Sequence, residues 1–297
     1  MIFQKATKKT TWARVALIGP SGSGKTYTGL TIAKAMAAKV GGRVAVLDTE
    51  RGSASKYAGD VADFDVCELT SFAPQNYIDA LHAAANAGYR VILADSLTHA
   101  WTGEGGILDQ KDKGGADFGG WRKLTPQHNA LVDAILNFPG HLVATMRVKT
   151  EYVVEKDERT GKMVPRKIGL APVQRDGLEY EFDVVADMDP DHTMHVSKSR
   201  CPALDSASIR KPGADVATML LDWLDDGEAH EPRIARLIAA AISTSDLAHV
   251  KSELQRATKS KSIDKAAYDR LIEAGRVRGD AIRGALERGE VLGGDLA

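Results

Sequence analysis

The chain has 297 residues, 43% of them hydrophobic and 27% charged, with a formal net charge of -1. That balance belongs to a soluble globular protein and excludes a disordered polyelectrolyte. It also gives no whole-molecule attraction to nucleic acid, so any such binding has to come from a local patch.

The opening residues, MIFQKATKKTTW, are basic but lack the apolar stretch of a signal peptide, and no apolar run is long enough to span a membrane. A cytoplasmic location is the expectation. Residues 13–18 read as a buried strand, followed by a glycine-rich loop and an Ala-rich helix over 26–39. Residues 43–47 and 89–94 are two more apolar strands, each ending in acid or alcohol side chains. Residues 73–87 and 122–136 read as helices, and residues 141–145 as a fourth core strand. The segment 102–120 is rich in glycine, shows no periodicity, and reads as a functional loop without secondary structure. This alternation predicts an α/β fold with a mostly parallel sheet.

Further on, the rhythm changes. Residues 150–154 and 163–168 read as arms of a hairpin, and 181–188 with 193–197 as a second one around Asp189-Pro190-Asp191. Acids, Gly and Pro interrupt the pattern near residues 225–232, which predicts a core over residues 1–227 and a small helical domain over 228–297. Ser243 and Asp246 have capping-box spacing ahead of Leu247, Val250 and Leu254, and Ile263, Ala267 and Leu271 repeat the apolar period. Cys67 and Cys201 are too few for a disulfide framework or a metal cluster and read as buried small hydrophobes.

Gly19-Pro20-Ser21-Gly22-Ser23-Gly24-Lys25-Thr26 fits the Walker A pattern in full. Its glycines let successive N–H groups converge on phosphate oxygens at the start of a helix. Lys25 is placed to reach the β- and γ-phosphates of ATP, and the Thr26 hydroxyl to ligate Mg2+. A dinucleotide-binding loop is the rival reading, supported by Asp48 and Glu50 after the second strand. The lysine argues against it, because that site approaches pyrophosphate through glycine alone. Asp95, at the end of Val91-Ile92-Leu93-Ala94, is the expected acid for the metal. Hydrolysis also needs a group that orients or deprotonates water, for which Glu50 comes first and Glu104 and Asp109 are weaker rivals. Asp48 reads as structural or as support for the metal.

These stretches in order resemble the RecA/Rad51 class of recombinases and, more narrowly, the compact Sak4-like phage ATPases of single-strand annealing. GPSGSGKT resembles the Walker A loop of that class, VAVLDTERGSASKYA the strand bringing its catalytic glutamate, and VILADSLTHAW its Walker B strand. The resemblance implies a RecA-like core, with Glu50 as the catalytic carboxylate and Asp95 on the metal. HLVATMRVK resembles a strand ending in a γ-phosphate sensor, which maps to Thr145. The class commonly has glutamine just beyond; here it is Met146. HVSKSRCPAL resembles a late strand whose basic pair, here Lys198 and Arg200, reaches ATP, often across a subunit boundary.

The resemblance implies single-stranded DNA as partner, self-association into a ring or filament with ATP near the subunit contacts, and a further link to a single-stranded DNA-binding protein. Local charge agrees in part. Over residues 147–167 there are seven basic residues (Arg147, Lys149, Lys156, Arg159, Lys162, Arg166 and Lys167) against four acids, and over 251–288 ten against six. Lys111, Lys113, Phe118 and Trp121 make the segment after Asp95 a third candidate, although Trp121 fits better as an inward-packing start of a helix. The expected function is a Mg2+-dependent ATPase supporting phage-type recombination or strand annealing. The alternatives are a ring-forming helicase or packaging motor, and a nucleotide-gated assembly module with incidental hydrolysis.

Overall fold

In a computed structural model the described residues are 12–114, 119–156, 163–224, 230–259 and 263–288. The chain divides into two compact units, the first ending at Leu224 and the second containing the helices after Asp225.

The first unit contains strands β1 (Arg14–Gly19), β2 (Val44–Asp48), β3 (Phe64–Glu68), β4 (Val91–Asp95), β5 (His141–Lys156), β6 (Met163–Pro172), β7 (Val184–Met188), β8 (Thr193–Ser199) and β9 (Ser208–Arg210). Its helices are α1 (Lys25–Val40), α2 (Pro74–Asn86), α3 (Thr98–Thr102), α4 (Ile107–Lys113), α5 (Gly119–Asn137) and α6 (Ala214–Leu224). The strands form one sheet in the order β3-β2-β4-β5-β1-β7-β8-β9, with β6 paired to β5 off this path. Pairings from β3 through to β7 are parallel; β5 with β6, β7 with β8 and β8 with β9 are antiparallel.

The central strands are apolar on both faces because both faces are covered. In β1, Val15 and Leu17 pack with Leu30 and Met36 of α1 and Leu220 of α6. Ala16 and Ile18, on the other side of the same strand, pack with Tyr77 and Leu81 of α2 and Leu131 and Ile135 of α5. Helix α1 approaches β4 so closely that a Cβ on Gly29 would lie 2.8 Å from Leu93 Cδ1, so any larger residue there would have to push the Leu93 side chain aside. Arg14, only 4% exposed, donates to the carbonyls of Ile135, Leu136, Phe138 and Gly140 at 2.6–2.8 Å. It thereby satisfies acceptors that the C-terminus of α5 leaves open.

Four expectations need correction. Residues 141–145 and 150–154 are not separate strands: β5 runs unbroken from the core into the hairpin arm, because β6 supplies its hydrogen bonds after the parallel neighbours end. The segment 102–120 is not without structure, since α4 lies inside it with Ile107 buried; Phe118 lies outside the described residues. Strand β3 was not expected, because as an edge strand it carries no clean apolar alternation and is largely exposed. Cys67 lies on it and is exposed, whereas Cys201 is buried.

The second unit contains α7 (His230–Ala240), α8 (Thr244–Lys259) and α9 (Lys265–Glu287). Its core is Ile234, Ile238, Val250, Leu254, Ala257 and Leu271. The Ser243–Asp246 box is formed, with Asp246 N donating to Ser243 Oγ at 3.2 Å and Ser243 N to Asp246 Oδ2 at 2.8 Å. No described helix is long and apolar enough to cross a membrane.

Candidate active site

Four parallel strands end at the same edge of the sheet, and each delivers one component there. The pairing of Leu17 with Thr145 and of Gly19 with Arg147 aligns β1 with β5; that of Asp48 with Asp95 aligns β2 with β4. Since β5 lies between the loop strand β1 and the acid strand β4, Thr145 is held between the phosphate loop and Asp95. A crevice beyond the carboxyl ends of parallel strands is where this architecture accepts ligands.

The crevice is a cleft of about 680 Å3 lined by Ser21, Gly22, Gly24, Lys25, Thr26, Glu50, Asp95 and Arg147, with Tyr27, Tyr57, His192 and Lys211 further along. Gly24 opens α1 in the left-handed region, at φ 85°. Lys25 Nζ donates to Pro20 O at 2.7 Å. Burial pulls the Lys25 ammonium below its ordinary range, with Asp95 and then Glu50 opposing that shift. Ser23 Oγ is buried within the loop and has no hydrogen-bond partner.

Asp95 is 3% exposed, and burial raises its pKa, opposed by the hydroxyls it accepts from. Thr26 Oγ1 donates to Asp95 Oδ2 at 2.7 Å, and Thr145 Oγ1 donates to Asp95 Oδ1. A hydroxyl and a carboxylate oxygen side by side are hard donors of the kind Mg2+ takes, alongside phosphate oxygens and water. Among the described residues, no group of three or more His, Cys, Asp or Glu side chains could hold a metal by itself.

Glu50 follows β2 in a turn fixed by Asp48, which is buried and accepts from Glu50 N at 2.6 Å and Ala54 N at 3.3 Å. Asp48 is therefore occupied with the backbone. The Glu50 carboxylate accepts from Ser96 Oγ at 3.2 Å and is gripped by Arg147, with Nε 3.1 Å from Oε1 and Nη2 on Oε2. Behind it, Thr49 Oγ1 bonds His99 Nδ1 at 2.7 Å and Ser96 O at 3.2 Å. Of the weaker rivals, Asp109 braces α4 by accepting from Gly105 N and Lys113 Nζ, and neither it nor Glu104 lines the cleft.

Thus Gly22, Gly24, Lys25, Thr26, Glu50, Asp95 and Thr145 come together. Lys198 and Arg200 do not line the cleft within this chain. Lys198 Nζ donates to Tyr180 O at 2.5 Å and Phe182 O at 2.6 Å, while Arg200 pairs with Asp183 at 3.0 Å. Trp121 is half-buried and stacks on Trp101, with ring centroids 5.9 Å apart.

Sequence reading put Arg147 in a basic nucleic-acid patch rather than in the cleft, and missed His192 and Lys211 as cleft residues. Arg147 had a signal, since it follows Thr145 by two residues in a strand and so shares its face. His192 and Lys211 had none. Both sit in left-handed backbone, at φ 61° and 51°, and Lys211 N donates to His192 O at 2.8 Å. That contact continues the antiparallel pairing of β8 with β9 beyond Thr193 and Arg210, and it leaves His192 against Gly24.

A family model described as an AAA domain matches residues 11–205. Among solved structures, a KaiC-like protein from the hyperthermophilic archaeon Pyrococcus horikoshii OT3 is similar at 14% identity and a TM-score of 0.42, over 65% of this chain and 82% of its own. No curated protein sequence matches.

Proposed function

The chain belongs to the AAA domain family, and from that premise we propose that it is a Mg2+-dependent ATPase acting on single-stranded DNA in phage-type recombination or annealing. ATP hydrolysis is the chemistry of its P-loop core. Backbone N–H groups of residues 19–26 and the Lys25 ammonium bind the triphosphate, as preorganised positive charge where negative charge gathers. Thr26 and Asp95 are the residues that would hold Mg2+, which would supply charge neutralisation at the phosphate oxygens. Glu50 orients the attacking water and accepts its proton; the new oxygen–phosphorus bond forms as the bond to ADP breaks. Thr145 keeps Asp95 in place through its hydroxyl.

The DNA part of this reading is supported by one observation above all. Strand β5 continues without interruption from Thr145, in hydrogen-bond contact with Asp95, to Lys156 in the hairpin arm. Beyond Arg147, which is taken up by Glu50 in the cleft, residues 148–167 along and past it carry six basic residues against four acids. The acid of the phosphate site and a basic stretch of chain thus lie along one strand, and phosphate contacts made by that stretch would be salt-sensitive. Self-association with ATP near the subunit contacts belongs to the same reading, with Arg200 as the group offered to a neighbour. The test is steady-state ATP hydrolysis with and without single-stranded DNA at two salt concentrations. Stimulation that weakens with salt is expected. A rate indifferent to DNA would turn the reading toward a protein-assembly ATPase.

A further inference from the structure

Strand alternation on β5 puts Thr145 and Arg147 on the cleft face and turns Met146, 1% exposed, into the core behind it. The residue that meets the phosphate side after Thr145 is therefore Arg147. Its backbone is fixed from both directions, with Arg147 N donating to Thr98 Oγ1 at 2.9 Å and Arg147 O accepting from Val173 N at 2.8 Å. Its side chain, 52% exposed, holds the Glu50 carboxylate in a two-pronged grip. With Ser96 Oγ also on Glu50 Oε1, this grip occupies both oxygens. A carboxylate held that way is poorly placed to take a proton from water.

Both members of this pair line the same cleft as Lys25 and Thr26. The guanidinium fork fits phosphate oxygens as well as carboxylate oxygens. A triphosphate seated on Lys25 brings into the cleft a denser negative charge than Glu50 presents. We infer that Arg147 exchanges partners with nucleotide state: it binds Glu50 in the empty or diphosphate-bound cleft and the terminal phosphate of ATP in the filled one. The exchange releases Glu50 for water only when a terminal phosphate is present, and it makes Arg147 the residue that distinguishes ATP from ADP. This inference rests on the ATPase reading above.

The test is equilibrium binding of fluorescent ADP and of a fluorescent non-hydrolysable ATP analogue to the full chain, each with Mg2+. The variants are Arg147→Ala, Arg147→Lys, Glu50→Gln and the double variant Arg147→Ala/Glu50→Gln. Arg147→Ala is expected to weaken the triphosphate analogue about tenfold, equivalent to about 1.4 kcal/mol, with ADP affinity unchanged. Arg147→Lys, which keeps the charge but not the fork, should recover part of that loss. Glu50→Gln removes the competing partner, so it should tighten the triphosphate analogue alone, and only when Arg147 is present.

Equal weakening of both nucleotides by Arg147→Ala, or a Glu50→Gln gain that persists in the double variant, would overturn the exchange and leave the ATPase reading standing. Wild-type protein that binds neither nucleotide would overturn both. Thermal melting of each variant without nucleotide separates a lost contact from a lost fold.

Discussion

His141 opens β5 and is 2% exposed. Its Nδ1 accepts a hydrogen bond from Ala13 N at 3.0 Å, just ahead of β1, and Trp12 packs edge-on against the ring at 5.1 Å. This neutral imidazole pins the start of the β1–β5 pairing that places Thr145 beside the phosphate loop. Burial, followed by the nearby Arg14 guanidinium, lowers its pKa from 6.5 to about 4. Because the folded-state value lies below the unfolded one, the unfolded chain binds the proton first as pH falls. The stability contribution is therefore complete above pH 6.5 and is lost as pH falls toward 4. At 1.36 kcal/mol per pH unit, the loss amounts to about 2 kcal/mol at pH 5 and about 3 kcal/mol at pH 4.

His141→Asn keeps an acceptor at the position of Nδ1 and removes the titration. Urea unfolding should be followed by tryptophan fluorescence from pH 7 to 4. All four tryptophans (Trp12, Trp101, Trp121 and Trp223) lie in the first unit, so the signal isolates its transition from that of the helical unit. Carboxylate titration is common to both proteins and cancels in their difference. The variant should gain on wild type steadily below pH 6.5, by about 2 kcal/mol at pH 5. A difference that stays flat from pH 7 to 5, or that slopes the other way, would refute a buried neutral His141.

Gly24→Ala puts a side chain into backbone at φ 85° and sets its Cβ 3.0 Å from His192 Nδ1; nucleotide affinity should fall at least tenfold in a titration with fluorescent ADP. Adding His192→Ala should not restore it, since the backbone conformation remains. Asp95→Asn removes an ionised carboxylate that burial disfavours. The nucleotide-free protein should melt at least as high as wild type, while phosphate release falls more than about a hundredfold. A large drop in melting temperature would show that the charge, not only the shape, of Asp95 holds the site together.

The parts of the site that were legible in the sequence are those whose chemistry is local. Residues 19–26 and the acid ending Val91–Asp95 are contiguous motifs whose spacing alone brings ligand groups to a strand end, and Glu50 follows β2 by two residues. The helix α4 was hidden because it is short and set among glycines; it is held by one buried residue, Ile107, and by Asp109 accepting from Gly105 N. Strand β5 was read as two pieces because Arg147 and Lys149 interrupt the apolar run after Thr145. The pairing that carries it onward comes from β6, about twenty residues later in the chain. Lys211 reaches the cleft because β9 pairs with β8 and sets it beside His192, and a strand of three residues is too short to show a period.

Lys198 and Arg200 differ in what it would take to offer them to a neighbouring subunit. Lys198 Nζ is enclosed by the carbonyls of Tyr180, Phe182 and, at 3.3 Å, Glu179. Desolvation, then Arg200, already lowers its pKa. Withdrawing it would give up three bonds to carbonyls, of which those of Glu179 and Phe182 are partly buried. Arg200 is 54% exposed, bonds one Asp183 oxygen at 3.0 Å and reaches Tyr180 O only at 3.4 Å. An exposed ion pair of that kind is worth about 1 kcal/mol or less, and a phosphate offers the same fork a stronger partner. If subunits meet with ATP between them, the arrangement favours Arg200 as the hand extended across. Lys198 then serves to hold residues 179–182 in the shape that supports it. Arg200→Ala should in that case lower turnover in the assembled protein and spare nucleotide binding by the monomer, whereas Lys198→Ala should act first on the melting temperature.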